Sequence, residues 1–175
     1  VELTDMGLLT WSKDPGEGTV DNAEKVYSGA VMSADGHYMV RTDGIPAKML
    51  ADDIVMRVYV KLADGSYVYS KQITYSPKIY AMNRLQNSDS EEMKALCVAL
   101  LNYGAAAQKY FGYKTDALMN ADLTEEQLKL AKAYSADMVA TAEKPDAAKA
   151  GAFAQTQGFS AKFATVSMEG YFAIN

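Results

Sequence analysis

The stretch "DIVMRVYVKLADGSYVYSKQITYS", residues 53–76, decides the fold class. From residue 54 to residue 62, apolar side chains alternate with mixed ones, which is the two-residue period of a strand with one buried face. "ADG" at 63–65 supplies the residues of a tight turn, and residues 66–75 form the return strand. The stretch therefore predicts an antiparallel hairpin.

Short strands are also predicted before the hairpin. The first, "VELTDMGLLTW" at 1–11, is rich in apolar residues and precedes a loop rich in Pro, Gly, Asp and Asn. "KVYSGAVM" at 25–32 and "GHYMVRTDGI" at 36–45 are typical of two strands joined across "SADG". Residues 1–76 are therefore predicted to be mainly β.

Residues 77–142 are predicted to be a helical insertion. Pro77, placed after the capping residue Ser76, favours a short helix that ends near Leu85. A later helix begins with the capping box of Thr124 and is expected to run to about Ala142.

The helix between these two comes from "SEEMKALCVALLNYGAAAQKYFGY", residues 90–113. Acidic residues occupy its first turn, and Gly112 follows it as a C-terminal cap. The small residues 104–107 predict a close approach by a sheet or a second helix. One buried stripe is expected at three- and four-residue spacing, comprising Met93, Leu96, Cys97, Leu100, Gly104, Ala107 and Phe111.

Together these elements predict one α+β domain over residues 1–175. We expect an antiparallel β-sandwich or sheet of about six to eight short strands, with two or three helices inserted after the central hairpin and packed on one side. A terminal β segment covers 159–175. Because an unpaired apolar edge promotes aggregation, its last strand is expected to pair with the opening stretch 1–11 or to extend to a neighbouring molecule as a donated strand.

Composition excludes several classes of function. The net charge of -5 and the pI of about 4.9 argue against nucleic acid as a partner. Cys97 and His37 are the only residues of their types, so thiolate or histidine metal sites are not expected. No apolar run is long enough to predict membrane insertion. No pair of carboxylates or nucleophile is placed for catalysis, so we predict no enzyme, no catalytic residue, no metal and no cofactor.

Aromatic residues are the best candidates for a binding site. A row of exposed rings stacks on sugar rings, whose C–H faces pack against aromatic faces. Tyrosines in a hairpin also form cross-strand pairs or lie under a helix, so structural packing is the alternative. The candidate ligand-binding residues are Trp11, Tyr59, Tyr67, Tyr69 and Tyr75; the last three share one parity along the return strand and are expected to project together.

Three further stretches carry a family resemblance. "DGIPAKMLADDIVMRVYVKLADGSYVYS", "YSPKIYAMNRL" and "MKALCVALLNYGAAAQKYFGYKTDALMNADLT" resemble an α+β module, of unassigned function, that occurs in tandem in large secreted and cell-surface proteins of gut Firmicutes. The match covers residues 36–124 and is most specific in "LLNYGAAAQKYFGY". It implies a secreted or cell-surface location and a larger parent chain, and it transfers no catalytic residue.

The resemblance also implies the order of the segments. A strand like "VSMEGYFAIN" precedes one like "VELTDMGLLTW" in the related pattern, so the chain is expected to be a circularly phased, trimmed unit of a repeat array. We therefore expect a non-catalytic extracellular module that binds a polysaccharide, a glycoprotein or a host or cell surface, beside adjacent modules of its parent chain. The alternative is a structural spacer repeat without a ligand of its own.

Overall fold

A computed structural model describes residues 2–131 with their side chains, and the backbone of residues 159–162 and 165–172. The chain divides into two compact units, of which the first comprises Val1–Asp43, Asp52–Ser76 and Ser167–Asn175. The second comprises Gly44–Ala51 and Pro77–Val166. The single domain stays a prediction, and each unit is described by itself.

In the described part of the chain, a β-rich part comes first, helices follow it, and two strands come last, as predicted. In chain order, the strands are β1 (Leu3–Trp11), β2 (Lys25–Tyr27), β3 (Val31–Met32), β4 (Tyr38–Pro46), β5 (Ile54–Leu62), β6 (Tyr67–Tyr69), β7 (Ile73–Tyr75), β8 (Phe159–Lys162) and β9 (Thr165–Phe172). The helices are α1 (Pro77–Asn87), α2 (Glu91–Phe111) and α3 (Glu125–Leu128), with 3-10 turns at Val20–Asn22 and Ala47–Met49.

The strands form two open sheets. One has the order β2-β1-β5-β6, with β7 also paired to β5, and the other has the order β3-β4-β9-β8. The longest pairing is the antiparallel one between β1 and β5, from Leu3 opposite Leu62 to Trp11 opposite Val55. The predicted α+β class, with antiparallel pairing and helices after the hairpin, is confirmed. A sandwich is not.

The predicted pairing of the last strand with residues 1–11 is wrong. Strand β9 lies between β4 and β8, whereas β1 already has β2 on one side and β5 on the other. Because both of its hydrogen-bonding edges are occupied, β1 has no free edge to offer the terminal segment.

Residues 25–32 do not form the single strand that was predicted. Gly29 adopts φ 73°, a left-handed conformation that interrupts an extended chain. The amide of Ala30 then donates to the carbonyl oxygen of Met6 at 3.0 Å, and the chain continues as β3. As a result β2 belongs to one sheet and β3 to the other.

The predicted helix signals of the second unit are confirmed at both ends of α2. The Ser90 hydroxyl accepts a hydrogen bond from the Met93 amide at 3.2 Å. Gly112 adopts φ 61° and donates its N–H to the last carbonyls of the helix. The predicted stripe is buried at five of its positions, but Leu96 is half-buried and Phe111 is 53% exposed.

At Gly104, the small-residue face of α2 accepts a loop residue, and helix α1 also packs on α2. A Cβ built on Gly104 would overlap the sulfur of Met119, which is itself buried. The Gln108 side chain holds that loop in place, since its Oε1 accepts from the Met119 amide at 2.7 Å and its Nε2 donates to Ala117 O at 3.1 Å. The prediction of close approach is therefore confirmed, and at Gly104 the approaching segment is a loop.

We expect Gly104→Leu to lower the free energy of unfolding by about 1–3 kcal/mol, because extra volume forces Met119 out of its place. The cost is expected to shrink when Met119 is replaced by alanine in the same chain, which a double-mutant cycle by urea denaturation would measure. Equal costs in both backgrounds would contradict the contact between the two residues.

The third predicted helix is much shorter than expected. Thr124 and Gln127 form the predicted capping box, with hydrogen bonds of 3.2 and 2.9 Å in the two directions. However, α3 ends at Leu128, and residues 129–131 are not helical. The prediction is therefore wrong across 129–131, and its remainder, 132–142, lies outside the described residues.

Candidate functional site

Two of the five predicted binding residues belong to the core of the first unit. Trp11 is 3% exposed and Tyr59 is 2% exposed, and both pack with Leu9. The Trp11 Nε1 donates to Asn22 O at 2.8 Å, so its one polar atom is satisfied inside the unit. These two rings therefore have no free face for a ligand.

The loop after β1 covers Trp11. Arg57 Nη1 donates to the carbonyl oxygen of Gly18 at 2.6 Å, and the Gly18 amide donates to Gln72 Oε1 at 2.6 Å. A Cβ on Gly18 would come within 2.5 Å of the Trp11 ring, so only glycine allows this close approach. Arg57 and Gln72 thus fasten the loop over the indole.

Tyr59 brings a phenolic hydroxyl into the same core cluster. Its hydroxyl donates to Asp5 Oδ2 at 2.8 Å. Burial, and secondly the hydrogen bond to the Asp5 carboxylate, raise the pKa of Tyr59 above the usual value for tyrosine. The phenol stays protonated at neutral pH and serves as a structural donor.

Tyr67 and Tyr69 lie side by side on β6. Their rings are nearly parallel, at 14°, with centroids 6.1 Å apart. Tyr69 is half-buried under Arg57, whose guanidinium lies 4.8 Å from the ring centroid, and its hydroxyl accepts from the Val20 amide at 3.2 Å. Tyr67 is 36% exposed beside Lys61. Binding by these two rings stays a prediction, and only Tyr67 offers much accessible surface.

Tyr75 does not project with the other two, so that prediction is wrong. Tyr69 pairs with Tyr59, but Tyr75 pairs with Ile54, which is a shift of one residue in register between β6 and β7. Since paired residues share a face and side chains alternate, the shift moves Tyr75 to the opposite face of the sheet.

The return strand therefore has one residue more than β5 between these two pairings, and Ser70 accommodates it. Its hydroxyl accepts a hydrogen bond from the Val58 amide at 2.9 Å. In a regular antiparallel ladder a backbone carbonyl oxygen would be the acceptor. The Ser70 carbonyl instead accepts from Arg57 Nε at 2.7 Å. The sheet therefore tolerates the break without losing the Val58 hydrogen bond.

Among the residues with described side chains, the most exposed aromatic rings lie elsewhere, at the end of α2. Tyr110 is 85% exposed and Phe111 is 53% exposed, and their rings meet edge to face at 86° with centroids 4.9 Å apart. Lys48 Nζ lies 5.4 Å from the centroids of both Phe111 and Tyr113, and Lys114 Nζ lies 5.3 Å from that of Tyr113. We call these five residues, Lys48, Tyr110, Phe111, Tyr113 and Lys114, the α2-end cluster.

Local backbone structure brings the α2-end cluster together. Gly112 in its left-handed conformation reverses the chain, and the Tyr113 amide then donates to Gln108 O at 2.9 Å. Lys48 comes from the 3-10 turn Ala47–Met49, which packs on α2 and is anchored by buried Ala47. Both lysines are therefore held beside the rings by elements of the same unit.

Sequence periodicity could not find this cluster. Phe111 lies eighteen residues after Met93, which is five full helical turns, so a helical repeat places both on one face. The loop residues Ala117 and Met119 contact α2 at Gly104 and Gln108, about one turn before Phe111, which is itself 53% exposed. The sequence signal that could have indicated the cluster is "KYFGYK" at 109–114, in which three aromatic residues surround a capping glycine.

Reactive groups are not assembled in the described part of the chain. No three His, Cys, Asp or Glu side chains among the described residues lie close enough to hold a metal ion. Burial raises the pKa of the Cys97 thiol to about 11, so the thiol is protonated at neutral pH. His37 contacts Asp35 at 3.2 Å in an exposed turn, where hydrogen bonds from Ser33 and His37 lower the pKa of the carboxylate.

One open groove lies in the first unit. It has a volume of about 410 Å³ and is lined chiefly by apolar side chains and backbone, with Tyr27, Val31 and Met39 on its walls. Arg41 is the one charged side chain in that lining. It offers no set of converging polar groups of the kind that orients a small-molecule ligand.

The chain matches no protein-family model, no curated protein and no solved structure. Among the described residues, no helix is long and apolar enough to cross a membrane.

Proposed function

We propose that this chain is a non-catalytic extracellular module of a larger bacterial surface or secreted protein, and that it binds glycan through the α2-end cluster. The observation that carries the proposal is the exposure of Tyr110 and Phe111, at 85% and 53%. Large rings left in water at adjacent positions are unusual, and Trp11 and Tyr59 of the same chain are almost fully buried.

The chemistry of the rings fits a sugar better than a buried protein partner. Each ring presents an apolar face with polar surroundings, which is the combination that a pyranose offers in return. The two rings stand edge to face, so a chain of sugars can contact one face and one edge at the same time. A glycan on a host or bacterial surface is therefore the ligand class that we propose.

The location and the parent protein rest on the resemblance of residues 36–124 to tandem modules of gut Firmicutes. A module with a single non-catalytic binding surface gains strength when several copies engage one polymer, because the later contacts are intramolecular. Adjacent modules of the parent chain are thus the expected partners, together with a polysaccharide or glycoprotein.

Affinity electrophoresis tests the proposal. The protein is run through gels cast with mucin, starch, xylan, pectin or β-glucan, beside the variants Tyr110→Ala and Phe111→Ala. We expect retardation by at least one polymer, and we expect each variant to bind it about fivefold more weakly or worse, the effect of losing about 1 kcal/mol at a contact aromatic.

Tyr67→Ala is the matched control, since it removes an exposed tyrosine from the other unit. It is expected to leave retardation unchanged, and all three variants should keep a nearly unchanged melting temperature because their side chains are exposed. No retardation by any polymer, or a loss with Tyr67→Ala alone, would overturn the proposal.

A structural spacer repeat is the second candidate function. The observation in its favour is the burial of Trp11 and Tyr59, since packed aromatics are what a spacer without a ligand requires. Under this alternative the α2-end cluster would contact a neighbouring module instead of a glycan, and no polymer would retard the protein.

A further inference from the structure

We propose that the α2-end cluster selects carboxylated sugars, such as uronic or sialic acids, over neutral ones. This inference rests on the proposed function, since it concerns the ligand of the same surface. Lys48 and Lys114 are the residues that would make the selection.

The local charge is opposite to that of the chain. The whole sequence carries 22 acidic residues and 17 basic ones. The two segments that build the cluster, 44–51 and 109–115, contain Lys48, Lys109 and Lys114 and not one Asp or Glu. The exposed rings of this acidic protein thus have the Lys48 and Lys114 ammonium groups beside them, which favours anionic ligands.

Both lysines lie close enough to the rings to reach a bound sugar. Lys48 Nζ is 5.4 Å from the Phe111 centroid, and Lys114 Nζ is 5.3 Å from the Tyr113 centroid. A pyranose stacked on Phe111 carries its carboxylate at the rim of the ring, within reach of the Lys48 ammonium. A charge-assisted hydrogen bond there favours the ionised sugar and is absent for a neutral one.

The lysines also have a structural contribution. Each ammonium beside a ring gains cation–π energy, also at an exposed site. Holding the ammonium near the ring restricts its side chain before any ligand arrives, which lowers the entropy lost on binding. The contact with the rings is therefore compatible with binding and places the charge where an acidic sugar needs it.

The test compares probes that differ only in charge. Polygalacturonate is compared with highly methyl-esterified pectin, and native sialylated mucin with mucin treated with sialidase. We expect the protein to bind the charged member of at least one pair more tightly. Lys48→Gln and Lys114→Gln are each expected to reduce this preference about two- to fivefold, the range for an exposed ion pair.

The conservative variant Lys48→Arg is expected to retain the preference, and Lys129→Gln, an exposed lysine of the same unit, is expected to change nothing. Equal binding to charged and neutral probes, still lost with Phe111→Ala, would overturn this inference and leave the glycan proposal standing. A preference that survives both Lys→Gln variants would also overturn it. No binding to any probe would overturn both proposals.

Discussion

Replacing Trp11 with alanine is expected to lower the free energy of unfolding by about 3–5 kcal/mol, the usual loss for a large buried aromatic. Trp11 is nearly inaccessible, packs with Leu9 and Tyr59, and donates its indole N–H to Asn22 O at 2.8 Å. Removing it leaves a cavity under the loop that Arg57 fastens at Gly18. Urea denaturation followed by circular dichroism would measure the loss.

The same variant separates a core role from a binding role. At a temperature where Trp11→Ala remains folded, we expect its retardation by a glycan polymer to equal that of the unaltered chain. Tyr67→Ala, at an exposed position, is expected to be near neutral for stability. A Trp11→Ala protein with full stability and no retardation would show that the indole contacts the ligand.

Leu101→Arg is expected to cost more than about 4 kcal/mol and to abolish the fold of the second unit, because it buries a charge in the centre of α2. Leu101 is 0% exposed. Ala99→Arg on the exposed side of the same helix is the matched control, since arginine and alanine both favour helices.

We expect Ala99→Arg to change stability by no more than about 0.5 kcal/mol. Loss of helical circular dichroism in Leu101→Arg alone would fit the placement of α2. Similar stability of the two variants would mean that α2 does not bury the face assigned to it.

Local signals predicted the elements that depend on local physics. The hairpin of β5 follows from strict alternation and the "ADG" turn. The two ends of α2 follow from the acidic first turn at Glu91 and Glu92 and from Gly112, which act on neighbours in sequence. The predicted capping box of Thr124 formed for the same reason. Such contacts need no knowledge of the distant chain.

The errors arise where distant segments decide the outcome. Tyr75 lies on the opposite face because the return strand has one residue more than β5 near Ser70. Counting alternate positions along the chain cannot reveal such an extra residue. The pairing of β9 depended on which edges were already occupied. The extent of α3 was overestimated because periodicity continues past its end at Leu128.

The prediction of exposed rings at Trp11 and Tyr59 failed for a related physical reason. Tyrosines on a hairpin and a tryptophan near it suggested a platform, but the loop held by Gly18 and Gln72 covers Trp11. Helical periodicity assigned Phe111 to the core, although Phe111 is 53% exposed and the loop contacts found on this face lie about one turn earlier, at Gln108. Burial depends on the length of the covering segment, and the repeat of apolar residues does not encode that length.

The most direct test of the central claim is to map the ligand contacts residue by residue. Isotope-labelled protein would be titrated with oligogalacturonates, and separately with xylo-oligosaccharides, while backbone amide shifts are followed by NMR. The account predicts that the largest shifts fall at Lys48 and at residues 110–114, and that they are larger for the charged oligosaccharide. Shifts confined to the hairpin at 67–75, or none with either oligosaccharide, would contradict it.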